Sequence, residues 1–275
     1  MKNKNLILLI VILLLLNFFS CKDTNQNKKV SIVSTMYPVK AFLESILDTS
    51  IQNISVLDKN IDPHIADISP SSFEKISQSK IFIFLGSGIE FEEKNKNQFL
   101  NEAKNSIKID LSKTLEEKYD PHIWISLKNL KNFSKILYDT LSYYKIVDQT
   151  TLDENIDLLN KKIDALEDSI KSVIEEKRIR KIFTDHNAFL YFGNEFNLDL
   201  KTISDNEDEV SVKDLKNVQD EISKEKIRIF FYTNPSSENY AKNFESEIKV
   251  KSLYINPLEN PLTNFEKILK FFKNL

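Results

Sequence analysis

Three histidines are the residues of this sequence whose type and spacing best suit chemistry: His64, His122 and His186. Two stand in a repeated tetrapeptide, Asp62-Pro63-His64-Ile65 and Asp120-Pro121-His122-Ile123, and the third in Thr184-Asp185-His186-Asn187. Imidazole is the commonest metal ligand among side chains. Each ring here follows an aspartate by one or two positions, where a carboxylate can orient it from behind. No local motif such as HExxH joins them, so the fold itself must bring them together. Two readings stand at this point, three solvent-exposed turn histidines or one shared metal site.

The elements around them decide whether convergence is feasible. Apolar, β-branched runs recur at residues 30–35, 54–57, 80–85 and 107–110, and again at 181–184, 200–204, 227–233 and 250–255. Several are continuous rather than alternating, as in Ile81-Phe82-Ile83-Phe84-Leu85, which suits parallel strands covered on both faces. Helical patterns lie between them, for example at 39–47 and 211–223. The spacing therefore predicts α/β units in two sets of four strands. One helix is longer than the rest. From Thr151 the apolar positions Leu152, Ile156, Leu159, Ile163, Leu166, Ile170 and Val173 keep a heptad seam, and Thr151 with Glu154 predicts a capping box at its start. It reads as an internal backbone between two lobes. His64 follows the second strand signal, His122 the fourth and His186 the fifth. In open α/β sheets ligands bind beyond the carboxyl ends of the strands, so a cleft between the lobes is where the three rings would meet.

Composition narrows the classes. The chain has 275 residues, 41% apolar and 29% charged, with 38 basic against 41 acidic residues. That is enough apolar residue for a full core, and the near-balanced charge disfavours a nucleic-acid binder. Three glycines exclude a glycine-rich phosphate loop, and a single cysteine excludes a disulfide framework or a Cys-rich zinc site. That cysteine, Cys21, follows Lys2, Lys4 and an unbroken apolar run at 6–16, which is the length of a signal-peptide core and too short to span a bilayer.

These features together resemble the substrate-binding lipoproteins of zinc and manganese ABC importers. The matching segments are Ile32-Val33-Ser34-Thr35-Met36-Tyr37-Pro38, Asp62-Pro63-His64 with Pro70-Ser71, and Gly86-Ser87-Gly88-Ile89-Glu90. Further matches are Asp120-Pro121-His122-Ile123-Trp124, His186-Asn187-Ala188-Phe189-Leu190-Tyr191 and, with its proline replaced, Glu209-Val210-Ser211. Cys21 resembles the acylated cysteine of a relaxed lipobox.

The resemblance implies an α/β fold of two lobes, each with a mainly parallel four-stranded sheet and flanking helices, joined by one long rigid helix. It implies a signal peptide at 1–20, a lipidated tether at 21–29, lobes at 30–149 and 179–275, and a connecting helix at 150–178. It places His64, His122 and His186 on three of the family's four metal positions. The fourth is commonly an aspartate in the segment Asp-Pro-Leu, and here the segment reads Asn256-Pro257-Leu258. An amide is a weaker ligand for zinc than a carboxylate, so the fourth position falls to Asn256, Glu259 or water. Three imidazoles favour Zn²⁺ over Mn²⁺, which prefers oxygen. The implied protein is a monomeric, extracytoplasmic, lipid-anchored receptor that is not an enzyme and binds no nucleic acid, and its partners are an ABC permease and the permease's ATPase. The competing classes are an Mn²⁺ receptor of the same family, a surface adhesin and a three-histidine zinc hydrolase. Among the remaining residues, Trp124 reads as packing beside His122. Glu92, Glu93 and the Lys/Asn-rich stretch after them read as a solvated face, and Phe265, Ile268, Leu269 and Phe272 as a terminal helix docked on the second lobe.

Overall fold

The computed structural model describes residues 30–116, 120–202 and 212–275, with side chains from 216 onward in the last stretch. The signal sequence, Cys21 and the Glu209-Val210-Ser211 segment lie outside the described residues. Four parallel strands form the first sheet: β1 (Ser31–Ser34), β2 (Gln52–Ser55), β3 (Ile81–Phe84) and β4 (Ile107–Asp110), in the order β2-β1-β3-β4. The second repeats it with β5 (Lys181–Thr184), β6 (Asp199–Thr202), β7 (Ile229–Tyr232) and β8 (Lys251–Tyr254), in the order β6-β5-β7-β8. The continuous apolar strands sit at the centre. Ile81, Phe82 and Ile83 in β3, and Phe230 and Phe231 in β7, are fully buried. This is the expected two-lobed α/β architecture, with β2 beginning two residues earlier than its apolar run.

In the first lobe α1 (Tyr37–Leu43), α2 (Pro70–Ser77), α3 (Glu90–Glu102) and α4 (Leu127–Tyr143) follow their strands. The second lobe has α6 (Leu190–Glu195), α7 (Val212–Lys224), α8 (Glu238–Ile248) and the terminal α9 (Pro261–Lys273). Between them runs α5 (Gln149–Lys177), 29 residues long, or about 43 Å at 1.5 Å per residue.

The start of α5 differs from the sequence reading. Asp148 is the N-cap, and its carboxylate accepts from the Thr151 backbone N–H at 3.0 Å and from the Thr151 hydroxyl at 3.2 Å. Thr151 is thus a donor inside the first turn rather than the cap. A carboxylate cap also answers the positive end of the helix dipole, which a hydroxyl does not. The seam of α5 buries Leu152, Leu159, Ile163, Leu166, Ile170 and Val173 against α4 and α9.

The terminal helix also does more than the spacing suggested. Phe265, Ile268 and Phe272 are buried, and Phe272 meets Phe231 and Phe192 of the second lobe. The same helix packs along α5 and reaches α1 in the first lobe. Its cap, Asn260, accepts from the Leu262 N–H at 2.9 Å and donates to the Ala41 carbonyl at 3.1 Å. One apolar core therefore runs from the first sheet through α5 and α9 to the second. A smaller cluster under α7 and α8 closes the far face of the second sheet.

Glu92 is the clearest departure from expectation. It is buried, not solvated, and accepts from the backbone N–H groups of Leu85 (2.8 Å) and Gly86 (2.7 Å) and from the Thr35 hydroxyl. Burial pushes its carboxyl above the usual range despite those three donors. The turn it holds needs a glycine. Gly86 has φ +64°, and a Cβ there would stand 2.2 Å from Asp110 Oδ1.

Candidate metal centre

That glycine turn positions two of the histidines. Ser87 donates its hydroxyl to the Pro121 carbonyl at 2.6 Å, and the Phe91 N–H donates to the Pro63 carbonyl at 3.1 Å. One Asp-Pro-His segment is thereby fastened to the loop between β3 and α3, and the other to the first turn of α3. Within them the aspartates work locally: Asp62 accepts from the His64 N–H at 2.9 Å, and Asp120 from the His122 N–H at 2.7 Å. Proline one position before each histidine removes a donor and fixes φ, so the turn has few other conformations.

The ring partners are a carboxylate each. Asp120 Oδ1 lies 3.0 Å from His122 Nδ1, as the sequence suggested. His64 Nδ1 pairs instead with Glu90 Oε2 at 2.7 Å, across 26 residues that no spacing rule links. With Nδ1 donating to a carboxylate, Nε2 is the nitrogen that carries the lone pair. Asp185 does not serve His186 in this way. It is mostly buried and accepts from the Thr233 N–H at 2.9 Å, the Thr233 hydroxyl at 3.1 Å and the Asn234 N–H at 3.4 Å. Burial pushes its carboxyl up as well. Its work is to lock the end of β5, and so His186, to the end of β7.

The three rings converge. Ring centroids are 5.0 Å apart for His122 and His186, 5.5 Å for His64 and His122, and 5.5 Å for His64 and His186, close to an equilateral triangle. One nitrogen from each lies within 4.8 Å of the others, and the two Nε2 atoms of His122 and His186 are 3.2 Å apart. Two nitrogens on a tetrahedral zinc with bonds of about 2.0–2.1 Å stand about 3.3 Å apart, so that pair already has ligand spacing. His122 is buried, and His64 and His186 are half-buried at the mouth. Burial first, then the charges of His122 and His64, lower the His186 pKa to about 4. At neutral pH that imidazole is therefore uncharged, the form a cation requires.

The loop after β8 closes the site. The Trp124 indole N–H donates to the Pro257 carbonyl at 2.8 Å, and the indole lies 5.4 Å from the His122 ring. Trp124 thus packs as expected and also ties the first lobe to the last loop. Asn256 folds over its own turn, accepting from the Leu258 N–H at 2.9 Å. Glu259 pairs with Lys267 at 2.6 Å. Among the described residues, the converging group of histidine, cysteine and acidic side chains consists of His64, His122 and His186, and Glu259 is not part of it. Sequence reasoning quoted Glu90 without a role and misplaced Glu92, because alternating charges on a helix look alike whether solvated or folded inward.

Comparison with known proteins places the fold and the family. Residues 32–275 match the model of the family described as zinc-uptake complex component A, periplasmic. A metal ABC transporter substrate-binding lipoprotein of Lactococcus lactis subsp. lactis is 26% identical over 219 residues, covering 72% of this chain and 70% of the relative. The zinc-binding lipoprotein AdcA of Streptococcus pneumoniae is 22% identical over 279 residues, covering 94% of this chain and 56% of AdcA, so the chain spans about half of that relative. A crystal structure of ZnuA superposes with a TM-score of 0.77 at 20% identity, covering 90% of this chain and 99% of ZnuA. With both sheets, the joining helix and the last loop inside the matched stretch, the chain belongs to the family of the periplasmic component A of zinc-uptake complexes.

Proposed function

We propose that His64, His122 and His186 capture one Zn²⁺ between the lobes, and that the protein presents it to an ABC permease driven by an ATPase. It is a substrate-binding receptor of metal uptake and not an enzyme. The observation that carries the site is the triangle of imidazoles with its 3.2 Å Nε2–Nε2 contact. Zinc would stand between these nitrogens, in place of that contact. Asp120 and Glu90 would hold two rings in the ligating tautomer and raise their basicity. Three neutral imidazoles give Mn²⁺ a poorer shell than Zn²⁺, which supports zinc as cargo. The fourth position falls to water or to Asn256 after its side chain turns, since Glu259 is engaged with Lys267.

The remaining assignments rest on the sequence. The mature chain would be a monomer held at a membrane by an acylated Cys21, with residues 30–149 and 179–275 as lobes and 150–178 as the connecting helix. Titration of the metal-free chain against a zinc chelator tests the site. One tight Zn²⁺ per chain is expected, and each of His64→Ala, His122→Ala and His186→Ala should weaken it by orders of magnitude. Two tight ions, a preference for Mn²⁺, or indifference to these substitutions would overturn the reading.

A further inference from the structure

The end of the second lobe away from the histidines carries a charge that metal capture does not use. A groove of about 390 Å³ opens there, lined by eight lysines and arginines against Glu225 and the chain's last residue, Leu275. The protein as a whole is net negative. Three of the cations, Lys177, Lys226 and Lys249, stand at or just after the ends of α5, α7 and α8, where a helix dipole gives them a structural reason to be. That reason does not extend to Arg180, Arg228 and Lys251, which begin or precede strands β5, β7 and β8 and are exposed. Among the described residues none of those three makes an ion pair with a carboxylate, whereas Lys181 is paired with Glu225. Arg178 and Lys226 adopt φ +54°, and Lys249 φ +60°, a region where glycine or asparagine is usual, so cations occupy even the turns that disfavour them.

The geometry points to this groove as a docking surface for the anionic headgroups of a phospholipid membrane. Like-signed residues in a concave surface focus field toward an opposite charge, and clustered lysines and arginines near a bilayer are drawn to anionic lipid. The position of the tether supports that occupant. The described chain begins at Val30, whose carbonyl accepts from the Gln52 N–H at the base of the first lobe. Asn155 of α5 reaches that same base through its bond to the Ile46 carbonyl, and α5 then runs to the groove at Lys177. Those 22 residues of helix separate the two ends by about 33 Å. Nine residues, Cys21 to Lys29, can span at most about 30 Å, and they include Lys22, Lys28 and Lys29 against Asp23. An acyl chain at one end and a cationic groove at the other give two points of attachment, which lay the long helix along the bilayer. This orientation rests on the lipoprotein reading; the binding of the groove to headgroups does not.

The test therefore uses residues 22–275, which contain every described element and no acyl group. The chain is sedimented with vesicles of phosphatidylcholine alone and of phosphatidylcholine mixed with phosphatidylglycerol, at low and high salt. Binding to the mixed vesicles alone is expected, weakened by salt and reduced about tenfold or more in the triple variant Arg180→Glu, Arg228→Glu, Lys251→Glu. Zinc titration of the variant, expected to match the parent, shows that it is folded. Equal binding by parent and folded variant, absence of binding to the mixed vesicles, or tighter capture of a duplex oligonucleotide than of the vesicles would overturn the proposal. A failed zinc titration of the parent would instead sink the function proposed above, and absence of palmitate labelling at Cys21 of the full chain, in a separate measurement, would sink the tether.

Discussion

At the scale of single residues, the candidate site was legible in its three histidines and not in what supports them. Histidine is rare here and marked by the repeated Asp-Pro-His, so its chemistry stands out of the sequence. Glu90 and Glu92 sit among Lys, Asn and other Glu, and only the fold turns one toward His64 and the other inward. Burial raises the Glu92 pKa, which fixes a sign. In the folded state this group holds its proton to higher pH than the unfolded chain does, so its contribution is largest below the ordinary carboxyl range and falls as pH rises through the raised value. Glu92→Gln mimics the protonated acid. Its cost relative to the parent, read from urea unfolding, should therefore be largest near pH 4 and shrink toward neutrality. Glu92→Ala would strand the Leu85 and Gly86 N–H groups, at about 1–3 kcal/mol each. For the fourth position, Asn256→Asp should tighten zinc, because a carboxylate lowers the charge that must be held in the cleft. Glu259→Gln should leave affinity unchanged, since its partner is Lys267. A sharp loss with Glu259→Gln in a chelator competition would show that the loop rearranges to bring it in.

At the scale of elements, continuous apolar runs marked the strands well, and errors gathered at ends. β2 begins at Gln52 because it follows the parallel register of β1, with Ser31 opposite Gln52, and not its own apolar pattern. The start of α5 was misread because a hydroxyl three residues before a glutamate fits a capping box, while the aspartate three residues earlier fits a cap equally well. Asp148→Ala should lower stability by about 1 kcal/mol in thermal unfolding, and Thr151→Ala by less. Trp124 gives a sharper test. Trp124→Phe keeps the ring but removes the N–H that holds the Pro257 carbonyl. The loop after β8 should then exchange its amide hydrogens faster while those of β3 stay protected. Equal protection in both proteins would mean that the loop is held by Asn264, whose side chain donates to the Asn256 carbonyl at 2.8 Å.

At the scale of the whole molecule, two lobes were visible from two sets of four strands and their joining helix from its heptad seam, but the part of α9 in uniting them was not. Nothing in the periodicity of residues 261–273 says that the helix faces three ways. Anchoring belongs to this scale too. Cys21→Ser should abolish acyl labelling and, at salt high enough to release the cationic groove, free the protein from the membrane fraction; a variant that still labels, or still sediments at that salt, would sink the lipid assignment. The final helix carries a consequence for how the molecule is made. Phe265, Ile268 and Phe272 lie after both sheets and α5 in chain order. Until they are made, the side of α5 away from α4 and the inner face of the second sheet lack the cover of α9. Completion of the shared core therefore waits for residues 261–273, which are made after both sheets.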